Sequence, residues 1–469
     1  MSMFLLGIVV YLAILAAVGY RRSRAVQTSD DFLVAGRSLP AHVLVFTLLS
    51  TWIGSGSLFA GAGLGYRVGF PALWQSAGAW VGIALIYFIA PRVRRIAQYT
   101  VPDILELRYG ALARVLGTVT TVLAYTTIAA YQFRGGGRLL QLVSGVSPRT
   151  GAFITMMFCV GYTAFAGMLS IAYLDIGNGL MMLIGVAFAV GFLIAHAGGF
   201  STAIDQLRPD QVSVFGSLPP VEALALFLPT LFLLLGEANM YQKFFSAKSE
   251  RAAKYAVIGW IIGTILVETL IDSVGVFGSV LTPGLTTNQS ETIVVRVAVD
   301  ILPPVLGLFL VCGAAAIIVS TANSFLLTPA TNLIRDVYQR FINPGVADRQ
   351  IVAYTRTIVV VLGLVGFVAG NFFPTILAMA LWAYTMYGAG ITPALLAAFI
   401  WPRVTPAGGV ASILAGMATT LVWEIVALAR GGNEAAYLFG LRTVYPALVL
   451  SISALIVVSL ATPRTERRL

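Results

Sequence analysis

The sequence predicts an all-α polytopic membrane protein with about thirteen transmembrane helices. Three observations point there. Of 469 residues, 58% are apolar and only 10% are Asp, Glu, Lys or Arg, against about 25% charged in an ordinary soluble domain. Apolar runs of about twenty residues recur, long enough to cross a hydrocarbon core of about 30 Å, and mean hydropathy is +0.90. The basic residues also alternate between the two sides: 21 of 29 Lys and Arg fall in one set of connections and six in the other, as expected of loops that set topology.

The spans run over 3–20, 42–65, 70–90, 113–143, 151–168, 171–196, 218–240, 252–280, 305–330, 351–371, 374–400, 407–429 and 442–462. Arg21, Arg22 and Arg24 follow the first span, and no basic segment precedes it. It therefore reads as a retained helix with its N-terminus outside, not a signal peptide. Arg92, Arg94, Arg95, Lys243, Lys248, Arg251, Arg335, Arg403, Arg464 and Arg468 then fall inside. Arg67, Arg149, Arg208, Arg296, Arg430 and Arg442 fall outside, and the C-terminus is inside. The longer outer loops are 200–217 and 281–304, the second with helical periodicity from Val294 to Ile301 that predicts a short lid.

The second span holds Ser50-Thr51-Trp52-Ile53-Gly54-Ser55-Gly56-Ser57, where unwinding would free carbonyls for a cation and helix ends for a solute. Close helix crossing through small residues is the plainer reading. Five spans later, Pro229 and Gly236-Glu237-Ala238-Asn239 interrupt the seventh span. Breaks in the first helix of two successive five-helix sets point to an inverted-repeat transporter with a central site. The chain is then one transmembrane domain, 1–469. It comprises a leading helix and loop at 1–41, repeats at 42–196 and 218–400, and trailing helices at 401–469.

Other polar groups at membrane depth also call for a reason. Arg134 and Arg138 share a face of the fourth span, and Arg134 suits a carboxylate, either of a solute or of Glu237. Asp175 lies near the start of the sixth span. Ser320, Asn323 and Ser324 share a face of the ninth, beside Thr321, and their oxygens suit a hard cation such as sodium. Glu268 and Asp272, four apart on the eighth span, read as groups facing an outer vestibule. Cys159, Cys312, His42 and His196 have no metal-site spacing, so no metal other than sodium and no organic cofactor is expected. The net charge of +10 resides in short loops, which argues against nucleic acid.

Four stretches resemble the sodium/solute symporter family, whose members carry proline, glucose, sialic acid, pantothenate and choline. They are Asp31 to Leu39, Tyr241 to Ser249, Arg335 to Tyr338, and Pro393 to Trp401 leading into Pro406 to Gly409. The resemblance covers about residues 1 to 460. It implies the LeuT-type fold, with one leading helix, two inverted five-helix repeats and two trailing helices. It also implies a main sodium site from the carbonyls of Ser50, Ile53 and Ile317 with the hydroxyls of Ser320 and Thr321. A second sodium falls at Asp175, Ser320, Asn323 and Ser324, where Asn323 departs from the commoner hydroxyl.

Solute contacts implied by the resemblance are Trp52, Gln75 and Arg134; Ser55, Gly56, Ser57 and Glu237 at the two breaks read as further contacts, and Tyr384 and Tyr387 on the eleventh span as gates or as packing aromatics. Glu237 and Val81 stand where a choline cage has aromatics, although Trp80 lies beside Val81. Arg134 resembles the arginine that holds the sialic acid carboxylate. The expected function is sodium-coupled import of a small carboxylate-bearing or zwitterionic solute by alternating access, in a bacterial inner membrane. Its partners are solute, sodium and the lipid bilayer, with no obligatory protein partner. The alternatives are a proton-coupled symporter using Asp175 or Glu237, and a sodium-coupled sugar or choline-like transporter. No filter sequence suggests a channel, and no nucleophile–base pair suggests an enzyme.

Overall fold

A computed structural model describes residues 2–23, 28–96, 98–431 and 437–464. Arg24 and Arg468 of the charge count lie outside these. Every predicted span is helical. Helix α1 (Met3–Ser23) leads; α2 (Ala41–Trp52) and α3 (Gly56–Val68) form a broken span bent by 51°, and α4 (Leu73–Ile86) continues into α5 (Ala90–Ile96) across a 60° bend. A connecting helix, α6 (Val101–Tyr109), precedes α7 (Ala111–Ser144).

The fifth and sixth spans join in α8 (Pro148–His196), which turns at Gly167 with φ 64° and ψ 172°. A Cβ there would sit 2.6 Å from the Phe32 ring, so only glycine fits. The second half contains α9 (Pro220–Gly236), α10 (Ala238–Phe245), α11 (Glu250–Leu281), α12 (Pro304–Asn332) and α13 (Asp348–Ala369). It ends with α14 (Ile376–Gly390) and α15 (Thr392–Ile400), before the trailing α16 (Pro406–Ala429) and α17 (Val444–Ala461). Among the described residues ten helices are individually long and apolar enough to span a membrane, and the two bent pairs make up to twelve. The helical periodicity from Val294 to Ile301 corresponds to a helix over Ile293–Arg296 that continues into Val297–Ile301.

Helix α12 is buried without interruption from Leu310 to Asn332, on every face and including its polar residues, as expected of a helix surrounded by others. It packs on α7 and α8, which brings its polar patch to the bundle centre. The peripheral α1 instead exposes Leu6, Val9, Val10 and Ile14, a surface suited to lipid.

The four family-like stretches gather at one end and seal it. Leu39 N–H donates to Ser246 O at 3.0 Å and Lys248 N–H to Leu39 O at 2.9 Å. Arg108 donates to Val404 O at 2.6 Å, and Tyr109 Oη to Ala394 O at 2.7 Å. Arg114 pairs with Asp336 at 2.7 Å, with Asp103 at 2.5 Å and with Glu106, which also receives Arg340 at 2.9 Å. At the opposite end a cavity of about 780 Å³ is lined by Arg134, Arg138, Arg149 and Arg296.

Candidate functional site

The first break lies between Trp52 and Gly56, where Ile53 adopts an extended conformation (φ −70°, ψ 117°) and ends α2. Its freed carbonyls meet α12: Thr321 Oγ1 donates to Ile53 O at 2.9 Å and to Ser50 O at 3.3 Å. Ile317 lies one turn earlier and is buried. Gly54 allows this approach, because a Cβ there would sit 2.8 Å from both Thr321 Oγ1 and Gln132 Nε2. Oxygens converging from two carbonyls and one hydroxyl are the donor type that a hard monovalent cation takes, and the Ser50 hydroxyl is buried without a partner.

Ser320 turns away from that group and donates to Asp175 Oδ1 at 2.5 Å. Thr47 donates to Asp175 Oδ2 at 2.6 Å, and Ser324 lies 3.0 Å from the Thr51 hydroxyl. Asn323 does not join them: its carbonyl oxygen accepts from Thr163 at 2.8 Å. Its longer amide reaches α8, so only Asp175, Ser320 and Ser324 of the expected second ion site stay on one side.

The solute contacts divide in the same way. Ser55 N–H donates to Gln132 Oε1 at 2.8 Å, and a Cβ on Gly56 would lie 2.7 Å from the Tyr384 hydroxyl. Tyr384 lies 3.2 Å from the Tyr131 hydroxyl, and its ring is 6.0 Å from that of Trp52. Tyr387 is committed elsewhere, donating to Gly236 O at 2.8 Å. Gln75 Oε1 and Gln132 Nε2 are buried without partners.

Glu268 corrects the expectation of a vestibule group. It is 3% exposed and receives Trp52 Nε1 at 2.8 Å, Trp80 Nε1 at 2.9 Å and Ser57 Oγ at 3.3 Å. One turn on, Asp272 receives Ser76 at 3.3 Å. Every hydrogen bond named to Glu268 comes from a neutral donor, which leaves a carboxylate beside the break with its charge uncompensated by them.

Arg134 and Glu237 do not pair. Glu237 caps α10, accepting from Asn239 N at 3.2 Å and Met240 N at 2.9 Å, and receives Tyr125 Oη at 3.0 Å. A carboxylate at a helix N-cap satisfies the orphan N–H groups and opposes the positive dipole end. Arg134 lines the arginine-rich cavity, donating to the carbonyls of Phe373 at 2.7 Å and Gly370 at 3.2 Å. Arg138 binds Glu291 at 2.7 Å, whose carboxylate also accepts from Leu377 N at 3.1 Å. The 281–304 connection is thereby tied to α7 and α14.

Lys243 was counted with the loop charges, yet it is wholly buried. Its position next to a charged stretch concealed it. Gln132 carried a readable signal, since an amide in the middle of an apolar span is costly unless it is used.

The sequence profile of the sodium:solute symporter family matches residues 32–416. The osmoregulated proline transporter OpuE of Bacillus subtilis is 24% identical over 98% of this chain and 94% of its own. The high-affinity proline transporter PutP of the same organism is 25% identical over 87% and 89%. The substrate-bound outward-open state of a Na⁺-coupled sialic acid symporter superposes with a TM-score of 0.80 at 17% identity, covering 98% of each chain. The nucleobase-cation-symport-1 family transporter Mhp1, in a closed conformation, gives 0.58 at 15% identity over 93% and 96%. The architecture is the LeuT type.

Proposed function

The chain belongs to the sodium:solute symporter family, and from that premise we propose that it imports a small zwitterionic solute of the amino-acid kind, driven by sodium. It is a multi-pass membrane transporter, not an enzyme. The observation that carries the ion assignment is the Thr321 hydroxyl lying on the two carbonyls of the first break. Sodium entering there replaces that hydrogen bond with Ser50 O, Ile53 O and Thr321 Oγ1 as ligands; Ile317 O and the Ser320 hydroxyl, once turned, complete the set. The ion holds α2 against α12 and fixes the break. Because coupling is reciprocal, solute bound at the fixed break raises sodium affinity by the same factor.

The solute lies between Trp52, Trp80 and Tyr384, with its cationic end at Glu268 and its carboxylate toward the first turn of α3 at Gly56 and Ser57. Glu268 thus takes the part first expected of Glu237. Arg134 and the outer arginines attract the carboxylate on its way in. Support for an amino-acid solute comes from the proline carried by relatives at 24% and 25% identity. The bias in Lys and Arg supports an N-terminus outside, a cytoplasmic C-terminus and a bacterial inner membrane. The helices of 42–196 and 218–400 act as the two repeats, and the first two helices of each rock against the rest.

The test is thermal stability of the purified protein in sodium or potassium with L-proline, other amino acids, sialic acid, glucose and choline. An amino acid should stabilise in sodium alone; ligand at 100 times its Kd adds about 2.7 kcal/mol. Equal stabilisation in potassium, with dependence on pH, would move the coupling to protons and to Asp175 or Glu237.

A further inference from the structure

Lys243 sits on α10 with its side chain enclosed on all sides at 0% exposure. Its ammonium donates to Thr47 O at 3.0 Å and to the Thr51 hydroxyl, both on α2. Thr47 is a two-way bridge, since its own hydroxyl donates to Asp175 Oδ2 at 2.6 Å. Thr51 continues the cluster to Ser324 at 3.0 Å, and Ser320 donates to Asp175 Oδ1 at 2.5 Å. Asn178 adds a longer contact to the same oxygen at 3.4 Å. One ammonium and one carboxylate thus belong to a single buried hydrogen-bonded cluster that joins α2, α8, α10 and α12.

A charge inside a bilayer needs an opposite charge or must change protonation. Glu237, at the start of the same helix, is already engaged by the N-terminus of α10 and by Tyr125, and Arg134 lies elsewhere, held by carbonyls of the 370–374 segment. Asp175 and Lys243 are left to neutralise one another through Thr47. Of the residues expected to hold a second sodium, Asp175, Ser320 and Ser324 are spent within this cluster, and Asn323 faces Thr163.

We infer that Lys243 is a tethered cation standing in place of a second sodium, so that the protein binds a single sodium at the first break. The inference rests on the sodium-coupled reading above and adds the stoichiometry to it. A fixed ammonium satisfies Asp175 throughout the cycle and is not released, so the carboxylate contributes to cohesion of the four helices and not to ion transfer.

The experiment is ²²Na⁺ binding to the purified full chain, without solute. The wild type should bind one ion with a Hill coefficient near 1, and Thr321→Ala should lose it. Lys243→Met exposes Asp175 to sodium and should bind two ions, with a Hill coefficient rising toward 2. Lys243→Arg should stay at one. Lys243→Met/Asp175→Asn removes both charges together and should again bind one ion within threefold of wild-type affinity. That double variant also serves if Lys243→Met alone fails to fold. Two ions in the wild type, or one ion at unchanged affinity in folded Lys243→Met, overturns the inference. No sodium bound by folded wild type overturns the sodium reading itself.

Discussion

The two helix breaks occupy corresponding places in the two five-helix sets, but they satisfy their freed backbone in opposite ways. At the second, Glu237 folds back to cap the helix it precedes, and Tyr125 and Tyr387 close the rest. At the first, no residue of the break caps α3. Its carbonyls, the Ser55 N–H and the Trp52 indole look outward to Thr321, Gln132 and Glu268, which belong to three other helices. A break whose following helix is capped by its own carboxylate is a structural joint, whereas one whose following helix has no side-chain cap and leans on groups of other helices is available to a ligand that replaces them. Similar interruptions in sequence therefore carry different duties, decided by whether the residue at the break can reach its own backbone.

The largest expected effect comes from filling the first break. Gly54→Val places a branched side chain against Thr321 and Gln132, and transport in proteoliposomes should fall to background. The equivalent change at the second break, Gly236→Val, meets Thr392, and should lower folded yield before it alters sodium dependence. Next comes the charge beside the first break. Glu268→Gln keeps the acceptor for one indole but removes the carboxylate, and the KM for a zwitterionic solute should rise at least tenfold with sodium affinity little changed. Equal KM in both proteins would remove Glu268 from the solute site.

At the second break Glu237→Gln retains an oxygen for capping and should leave KM unchanged. Glu237→Leu removes it and should cost about 1 to 2 kcal/mol, read as a lower unfolding temperature. A tenfold KM change in Glu237→Gln would erase the difference between the breaks.

The smallest effect lies at the sealed end, away from both. Burial alone would raise the Glu106 carboxyl, but hydrogen bonds from Arg340 and Arg114 outweigh it and hold it below the usual range. A carboxylate depressed in the folded state contributes stability above its unfolded pKa, about 4.3, and loses it as pH falls through the lower folded value. Melting curves from pH 6 to pH 3.5 should show a decline that Glu106→Gln flattens.

The order of the spans, the polar break and the oxygen patch opposite it were legible because bilayer depth taxes polar groups and leaves them conspicuous. Depth does not say which neighbour a group faces. Arg134 and Glu237 looked complementary at similar depth, yet one bonds loop carbonyls and the other its own helix. Asn323 reads as a hydroxyl substitute until its extra length takes it to Thr163. Lys243 was hidden by Lys248 and Arg251 close behind it, since a lysine one turn inside a helix end looks like a loop charge. The four stretches that carry the family resemblance turn out to build the seal, with Lys243 reaching from one of them into the cluster around Asp175.

That seal has a mechanical corollary. The isolated bridge between Leu39 and Ala247, with hydrogen bonds from Leu39 N–H to Ser246 O and from Lys248 N–H to Leu39 O, joins the start of α2 to the end of α10, and Lys243 pins the same two half-helices farther in. They are two blades of one shutter riveted at both ends. Under the proposed alternating access, an opening toward that side would swing both blades as one leaf, and distance probes placed on either half-helix should report the same time constant.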